Sequence, residues 1–378
     1  ENKKYIVEIP ENFYLIKNIK NIKKNLNNIP VDFLIVNQNI KIFDIVRVYY
    51  LCLIMFFKTL KLLKEKNYFI INNKDCKGIL EKKLLNSFFG SIQDQLLKGI
   101  ALENSLNSIL AKNFINCFDF HPQARAFYYF SKKSSTKNIV NINHANYSEN
   151  NIFFNYNIND FSKIYSSYYS PKPDIYLCQG NRYFQVVKKF FDHDKIFLLG
   201  SLKIELNKFK LEDFKSFNIK NNKKIITILC SINDYQSFVK LLNESNLGEL
   251  TIYVAPHPLK KIETIKYFRK NLKINFFDAT HIDKDNIFNI SDYIIFGDTS
   301  LGLELAIKNY NVFRIYHVDY VPTFDIDDEI PTVTNNLEIL DLFKNNRITQ
   351  NSKKIETDYF YKYDMNASSR LEQILDEL

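Results

Sequence analysis

The sequence predicts an α/β fold built from two parallel-sheet domains. Three observations carry that expectation. Short β-branched and aromatic runs alternate with segments of helical periodicity along most of the chain. A polar, charged and weakly patterned stretch, Leu206–Lys224, interrupts the alternation just past Gly200, after which the alternation starts again. The length of 378 residues exceeds what one hydrophobic core usually fills. The predicted domains are residues 1–199 and 200–358, with residues 359–378 as a helical tail that crosses back.

The first half reads as follows. Tyr5–Ile9 is a strand, and Asn12–Asn28 a helix with Ile16, Ile19, Ile22 and Leu26 on one face. Val31–Asn37 is a strand, Ile45–Lys66 a long helix and Tyr68–Asn72 a third strand. Ile79–Lys112 keeps helical periodicity through Leu84, Leu85, Phe88, Leu96, Leu97, Leu102, Leu106 and Leu110. Phe114–Phe118, Lys137–Asn143 and Asp174–Cys178 are strands, followed by a helix over Asn181–Phe191 and a strand over Ile196–Leu199. In the second half, the predicted strands are Lys224–Leu229, Leu250–Val254, Ile274–Phe277, Tyr293–Phe296 and Val312–Tyr316. The predicted helices are Tyr235–Glu244, Lys260–Asn271, a short turn at Ile287–Ile290, Ser300–Lys308 and the amphipathic Ser368–Leu378. In such a pair of domains the cleft between them is the expected ligand site.

Composition narrows the function classes. Hydrophobic residues make up 46% and charged residues 25%, which excludes an intrinsically disordered chain. Lys plus Arg total 51 against 42 Asp plus Glu, a net charge of +9, but no block of five or six like charges appears, so a nucleic-acid-binding tail is not supported. Part of the basic balance goes with an abundance of Asn, Lys and Ile that an AT-rich genome would favour. The five cysteines, Cys52, Cys76, Cys117, Cys178 and Cys230, are odd in number and widely spaced. They suit core thiols in a reducing cytoplasm rather than a disulfide framework or a zinc site. No signal-peptide pattern opens the chain. The most apolar run, Val48–Phe57, is half the ~20 residues that a membrane-spanning helix needs. It reads as a buried helix, with a membrane-surface role as the alternative.

Two stretches of the second half carry groups suited to binding an anion. Pro256-His257-Pro258-Leu259-Lys260-Lys261 directly follows a predicted strand. Each proline disfavours helix in the residue before it, so His257 is held in an extended turn. Lys260 and Lys261 then open a helix, whose amides favour negative charge. The alternative is a turn with a structural histidine. Ser291–Ala306 contains a strand, a turn at Gly297, and Asp298, Thr299 and Ser300 at the start of a helix. These are favoured capping types, and a hydroxyl beside free helix amides can cradle a phosphate. Gly302 permits close approach, and Glu304 on the first turns can reach a ribose diol. Ordinary helix capping with a surface Glu is the alternative here.

The order and strand-end placement of these two stretches resemble those of nucleotide-sugar transferases of the GT-B fold. The resemblance is closest to the bacterial surface-polysaccharide group of sialyltransferases, capsular Kdo transferases and CDP-glycerol polymerases. In those families an HP motif and a Ser/Thr motif before a helix hold the phosphate of a cytidine nucleotide. His257-Pro258 and Thr299-Ser300 match them, with TS standing where many sialyltransferases show SS. In the first half, Asn143-His144-Ala145 is similar to a "QHG" loop in which only the His matches fully. Asp174–Gly180 and Lys195–Lys203 look like the crossing between domains. The resemblance spans residues 135–320 and leaves the first hundred residues unmatched. The acidic motif that supplies the base in several sialyltransferase families has no counterpart here.

The resemblance implies a metal-independent, inverting transferase without a cofactor. It would move a nonulosonic acid or Kdo from a CMP donor to a capsular or lipooligosaccharide acceptor. The alternatives are a CDP-polyol phosphotransferase, a UDP-sugar transferase, or a non-catalytic basic scaffold. His257 would serve the donor phosphate as hydrogen-bond donor or general acid, with Pro258, Lys260, Thr299, Ser300 and Gly302 around it and Glu304 on the ribose. His144 is the first candidate for the base, Glu149 the second, and Asp119 with His121 the third. Arg125 would face the acceptor or solvent. His281 would approach the base or ribose, while His193 and His317 are structural. Asp325–Glu329 reads as a solvated acidic loop rather than a metal site. The implied partners are the nucleotide-sugar and a glycan or lipid-linked glycan, in the cytoplasm or at the inner face of its membrane.

Overall fold

The structure is a computed structural model that describes residues 4–7, 32–35, 39–64, 70–71, 74–75, 77–88, 90–117, 122–143, 171–202, 224–244, 250–317, 320, 329–334, 338, 352–362, 364 and 366–378. The helix expected at Asn12–Asn28 and nearly all of the expected linker Leu206–Lys224 lie outside these residues, as do Cys76, Asp119, His121, His144, Glu149 and Asp325–Asp328. The chain divides into two compact units, residues 1–142 with 156–176, and residues 143–155 with 177–378. Segment 177–199 therefore groups with the second unit, whereas the alternation of elements had placed it in the first.

Unit 1 opens with parallel strands β1 (Lys4–Val7) and β2 (Asp32–Ile35). Helix α1 (Ile42–Leu62) follows, and the Asp44 carboxylate accepts the Lys41 backbone N–H at 2.9 Å, closing its first turn. Strands β3 (Ile70–Ile71) and β4 (Lys74–Asp75) form a two-residue antiparallel hairpin. The long periodic stretch is two helices, α2 (Lys77–Ser87) and α3 (Ser91–Ile109). Gly90 leaves helical geometry at φ −158° and begins α3. Strand β5 (Asn113–Asn116) leads to α4 (Pro122–Ser131), a helix absent from the elements that the sequence predicts. Proline at its first position needs no N–H partner there. Strand β6 (Asn138–Ile142) pairs in parallel with β5, Asn113 opposite Asn138.

The core of unit 1 lies where α3 and α4 meet. Ala101, Leu102, Leu106 and Phe127 form one cluster, and Ala124, Tyr128 and Ile139 join α4 to the sheet. Val48 and Cys52 of α1 pack on Ile100 and Phe130. Strand β7 (Ile175–Cys178) is next to β6, and the unit boundary falls at its midpoint.

Unit 2 takes the end of β7, then α5 (Asn181–Val187) and β8 (Ile196–Leu198), β8 being the next strand after β7. Its main body is β9 (Ile225–Leu229), α6 (Tyr235–Glu244), β10 (Thr251–Ala255), α7 (Lys261–Asn271) and β11 (Phe277–Asp278), then α8 (Lys284–Ile290), β12 (Tyr293–Phe296), α9 (Ser300–Ile307), β13 (Val312–Ile315) and β14 (Thr332–Val333). All six strands are parallel. β9, β12 and β13 are buried throughout, as continuous β-branched runs in a sheet covered on both faces should be. Ile226, Ile228, Ile252, Val254, Ile295 and Phe313 pack on Phe238, Leu242, Ile265 and Phe268 of the flanking helices. Cys52, Cys178 and Cys230 are buried thiols as expected, but Cys117 is exposed.

The tail comprises α10 (Ser352–Ile355), a π-helical turn at Glu356–Phe360 and α11 (Ala367–Asp376). It returns to the start of unit 2. Arg182 donates to the Tyr359 hydroxyl at 2.9 Å, and Arg370 Nε donates to the Leu199 carbonyl at 2.7 Å. A Cβ at Gly180 would collide with the Asp358–Tyr359 backbone, so glycine permits this docking.

Candidate functional site

The sheet of unit 2 is ordered β11-β10-β9-β12-β13-β14. The chain steps outward from β9 to β11 on one side, then crosses and steps outward from β12 to β14 on the other. The order reverses between β9 and β12, and open α/β sheets bind ligands at the carboxyl ends of the strands beside such a reversal. Both sequence-predicted stretches sit there. His257 follows β10 and Thr299 follows β12, the two neighbours of β9. Two strand spacings put β10 and β12 about 10 Å apart.

His257 is extended at φ −61° and ψ 138°, as the flanking prolines predict. Its Nδ1 accepts the Leu259 backbone N–H at 3.2 Å. That bond leaves the ring proton of the neutral tautomer on Nε2. Residues Pro258–Lys260 form a 3₁₀ turn leading into α7. Lys260 is bonded to Glu263, which also accepts from the Tyr235 hydroxyl at 2.9 Å. The Glu263 carboxylate holds the Lys260 amine above its ordinary range, and Lys260 and Tyr235 hold Glu263 below its own. The Lys260 charge is thus engaged within α7, while Lys261 is exposed.

On the other flank, Thr299 caps α9, its Oγ1 accepting the Leu301 N–H at 3.3 Å. The Gly302 amide donates to the Thr299 carbonyl at 3.2 Å, so Thr299 engages two amides of the first turn. Ser300 is the first helical residue and is half-buried. Gly302 has a packing role, since a Cβ there would run into the Phe296 ring. Glu304, expected on the ribose, is only 3% exposed. Its side chain is turned into the protein.

The sequence reading missed the carboxylate that joins the two loops. Asp234 precedes α6 and is fully buried. Its Oδ1 accepts the Ser231 N–H at 2.7 Å in the loop after β9, and its Oδ2 accepts the Asp298 N–H at 2.9 Å in the loop after β12. A Cβ at residue 297 would strike this carboxylate, so Gly297 makes the approach possible. Burial pushes the Asp234 pKa up to about 6, against the lowering effect of its two backbone hydrogen bonds. A second brace comes from β13. Arg314 donates through Nε to the Gly297 carbonyl at 3.1 Å and through Nη2 to Asp298 at 2.6 Å. The Tyr320 hydroxyl donates to the other Asp298 oxygen at 2.7 Å. Burial and the Asp298 carboxylate raise the Tyr320 pKa. The 297–299 loop is therefore held from both sides.

The remaining candidates are apart from this edge. His193 packs edge-on against Phe184 at 5.1 Å, and His317 takes Ser237 Oγ as acceptor for its backbone N–H. Both fit the expected structural roles. His281 is exposed after β11, two strands from β9. Arg125 is half-buried on α4. Among the described residues no His/Cys/Asp/Glu group has the makings of a metal site.

No protein-family model matches the chain, and no curated protein matches it. Among solved structures, the chain is similar to the wall teichoic acid polymerase TagF at 13% identity, over 80% of this chain and 98% of that one, with a TM-score of 0.42. It is similar to the UDP-GlcNAc 2-epimerase from Neisseria meningitidis at 10% identity, over 78% and 89%, with a TM-score of 0.45. Similarity to the calicheamicin glycosyltransferase CalG4 extends over 99% of this chain and 97% of that one, at 9% identity and a TM-score of 0.49.

Proposed function

We propose that the protein is a metal-independent, inverting glycosyltransferase of GT-B type that uses a CMP-activated sugar of the nonulosonic acid or Kdo class. The observation that carries this reading is the pairing of His257 and Thr299–Ser300 on the two strands that flank β9. A donor phosphate at the switch point meets the His257 Nε2–H from one side and the Ser300 hydroxyl, at the positive end of α9, from the other. These groups stabilise the charge that develops as the CMP oxygen leaves the anomeric carbon. Lys261 adds positive charge at the rim. Glu304 is left out of the donor contacts because it is buried.

The acceptor hydroxyl, on a surface glycan or lipid-linked glycan, attacks the anomeric carbon as its C–O bond to phosphate breaks, and its proton passes to a base. His144, with Glu149 second, is the base in this reading, carried over from the family resemblance.

A thermal-shift series with CMP, CDP, UMP and UDP, followed by CMP release from a CMP-sugar panel, tests the proposal. CMP should give the largest shift, and His257→Ala and Ser300→Ala should each lose at least tenfold in turnover while melting like the parent. A preference for CDP with CDP-polyol turnover would move the reading to polyol phosphate transfer. Unchanged turnover in both variants would sink the phosphate assignment.

A further inference from the structure

Among the described residues, helix α1 carries a wide exposed apolar surface. Ile42, Val46, Tyr49, Tyr50, Leu53 and Phe57 are all exposed, Ile42 at 82% and Tyr50 at 64%. At 100° per residue they fall within an arc of about 100° and run about 22 Å along the helix. Val48 and Cys52, which anchor α1 to α3 and α4, lie on a different face.

Charge is distributed around that stripe in one sense. Lys61, Arg47 and Lys58 follow one another along one margin, about 20–80° beyond its edge in the same projection. The helix's acidic residue, Asp44, projects away from the stripe, where it accepts from the Lys41 N–H and from Asn104 Nδ2 at 3.2 Å. At the C-terminal end the stripe runs into a cavity of about 460 Å³ lined by Phe57, Leu60, Leu63, Lys61, Lys64 and Glu81. The cavity combines apolar walls with two amines and one carboxylate, a net positive lining that suits an acyl chain and its phosphate headgroup. No described helix is long and apolar enough to cross a membrane, α1 included.

We propose that α1 is a membrane-docking helix that lies in the headgroup region of an anionic phospholipid bilayer. Its tyrosines, phenylalanine and aliphatic residues insert to about 5–10 Å depth, and the basic margin faces the lipid phosphates. Near an anionic surface each basic residue adds about fivefold to the partition constant, so Lys58 and Lys61 account for about twenty-fivefold, Arg47 being set against Glu103 of α3. The charge pattern selects this occupant over a second copy of the chain, because two like-charged margins would repel. The inference does not depend on the donor assignment.

The test is flotation of the full chain with vesicles of phosphatidylcholine alone and with 30% phosphatidylglycerol. The expected result is binding to the anionic vesicles that is at least tenfold stronger than to the neutral ones and that weakens with salt. Tyr50→Ser with Phe57→Ser should reduce it at least tenfold, as should Lys58→Glu with Lys61→Glu, with unchanged melting temperatures. The positions are exposed, so these variants are expected to fold. Absence of binding to anionic vesicles overturns the proposal, as does equal binding by the parent and both variants. A concentration-dependent dimer that Tyr50→Ser with Phe57→Ser abolishes, without vesicle binding, replaces it with self-association.

Discussion

Arg314 donates to Asp298 across 2.6 Å with both side chains 2% exposed, and Asp298 is the residue before the Thr299 cap. The ion pair thus sets the position of the loop that offers hydroxyls and amides to a ligand. Arg314→Met removes one charge of a desolvated pair and should destabilise the fold by about 3–5 kcal/mol, because it leaves Asp298 buried without its partner. Adding Asp298→Asn to that variant should restore part of the loss. Urea unfolding of the single and double variants measures both; a single-variant loss below 1 kcal/mol would show that the pair does not hold the loop.

Asp234 makes stability depend on pH in a direction opposite to that of an ordinary salt-bridged carboxylate. Its pKa is raised from 3.8 to about 6 in the folded protein by burial. Below pH 4 the group is protonated in both states. As pH rises from 4 to 6, the unfolded chain releases the proton before the folded one does, so the contribution present at low pH is lost. A shift of about 2 units corresponds to about 3 kcal/mol. The unfolding free energy of the parent relative to Asp234→Asn should therefore fall by up to that amount between pH 4 and 7. A pH-independent difference between the two proteins would contradict the assignment.

The parts legible in the sequence were those fixed by local chemistry. Tyr235–Glu244 and Tyr293–Phe296 were read to the residue, because a 3.6-residue apolar pattern and a buried β-branched run each end at polar or glycine signals. Pro256 and Pro258 likewise fixed the extended His257. What escaped depends on partners distant in sequence. Asp234 and Asp298 are 64 positions apart and meet only because β9 and β12 are neighbours. Arg314 is the charged residue of the otherwise apolar strand Val312–Ile315. It is tolerated in a fully buried strand because the Gly297 carbonyl and Asp298 satisfy it. Glu304 is expected on a ribose from its place in the first turns of a helix, and only the packing of α9 against β12 shows that it is buried.

That packing makes Gly302 a sensitive position. Adding one methyl group in the Gly302→Ala variant brings it against the Phe296 ring. Overpacking of this kind costs about 1–3 kcal/mol, although alanine is the better helix former. The displaced helix start should also weaken nucleotide binding. Gly302→Ala with Phe296→Leu should recover stability, measured by thermal melting, because the smaller side chain vacates the space. No recovery in the double variant would place the strain elsewhere.

Lys260 was expected to meet the ligand, but its amine is committed to Glu263. The engagement predicts opposite outcomes for the two partners. Lys260→Ala leaves the Glu263 carboxylate unpaired at that edge and should weaken CMP binding by about two- to fivefold at low salt. Glu263→Gln removes the competing carboxylate, frees the amine, and also takes one negative charge away from the edge that carries His257. It should tighten CMP binding by about two- to fivefold at low salt, with the gain shrinking at higher ionic strength as screening grows. Calorimetric titration at two salt concentrations reads both variants. Tighter binding that persists at high salt would point to a rearranged loop rather than to a released charge.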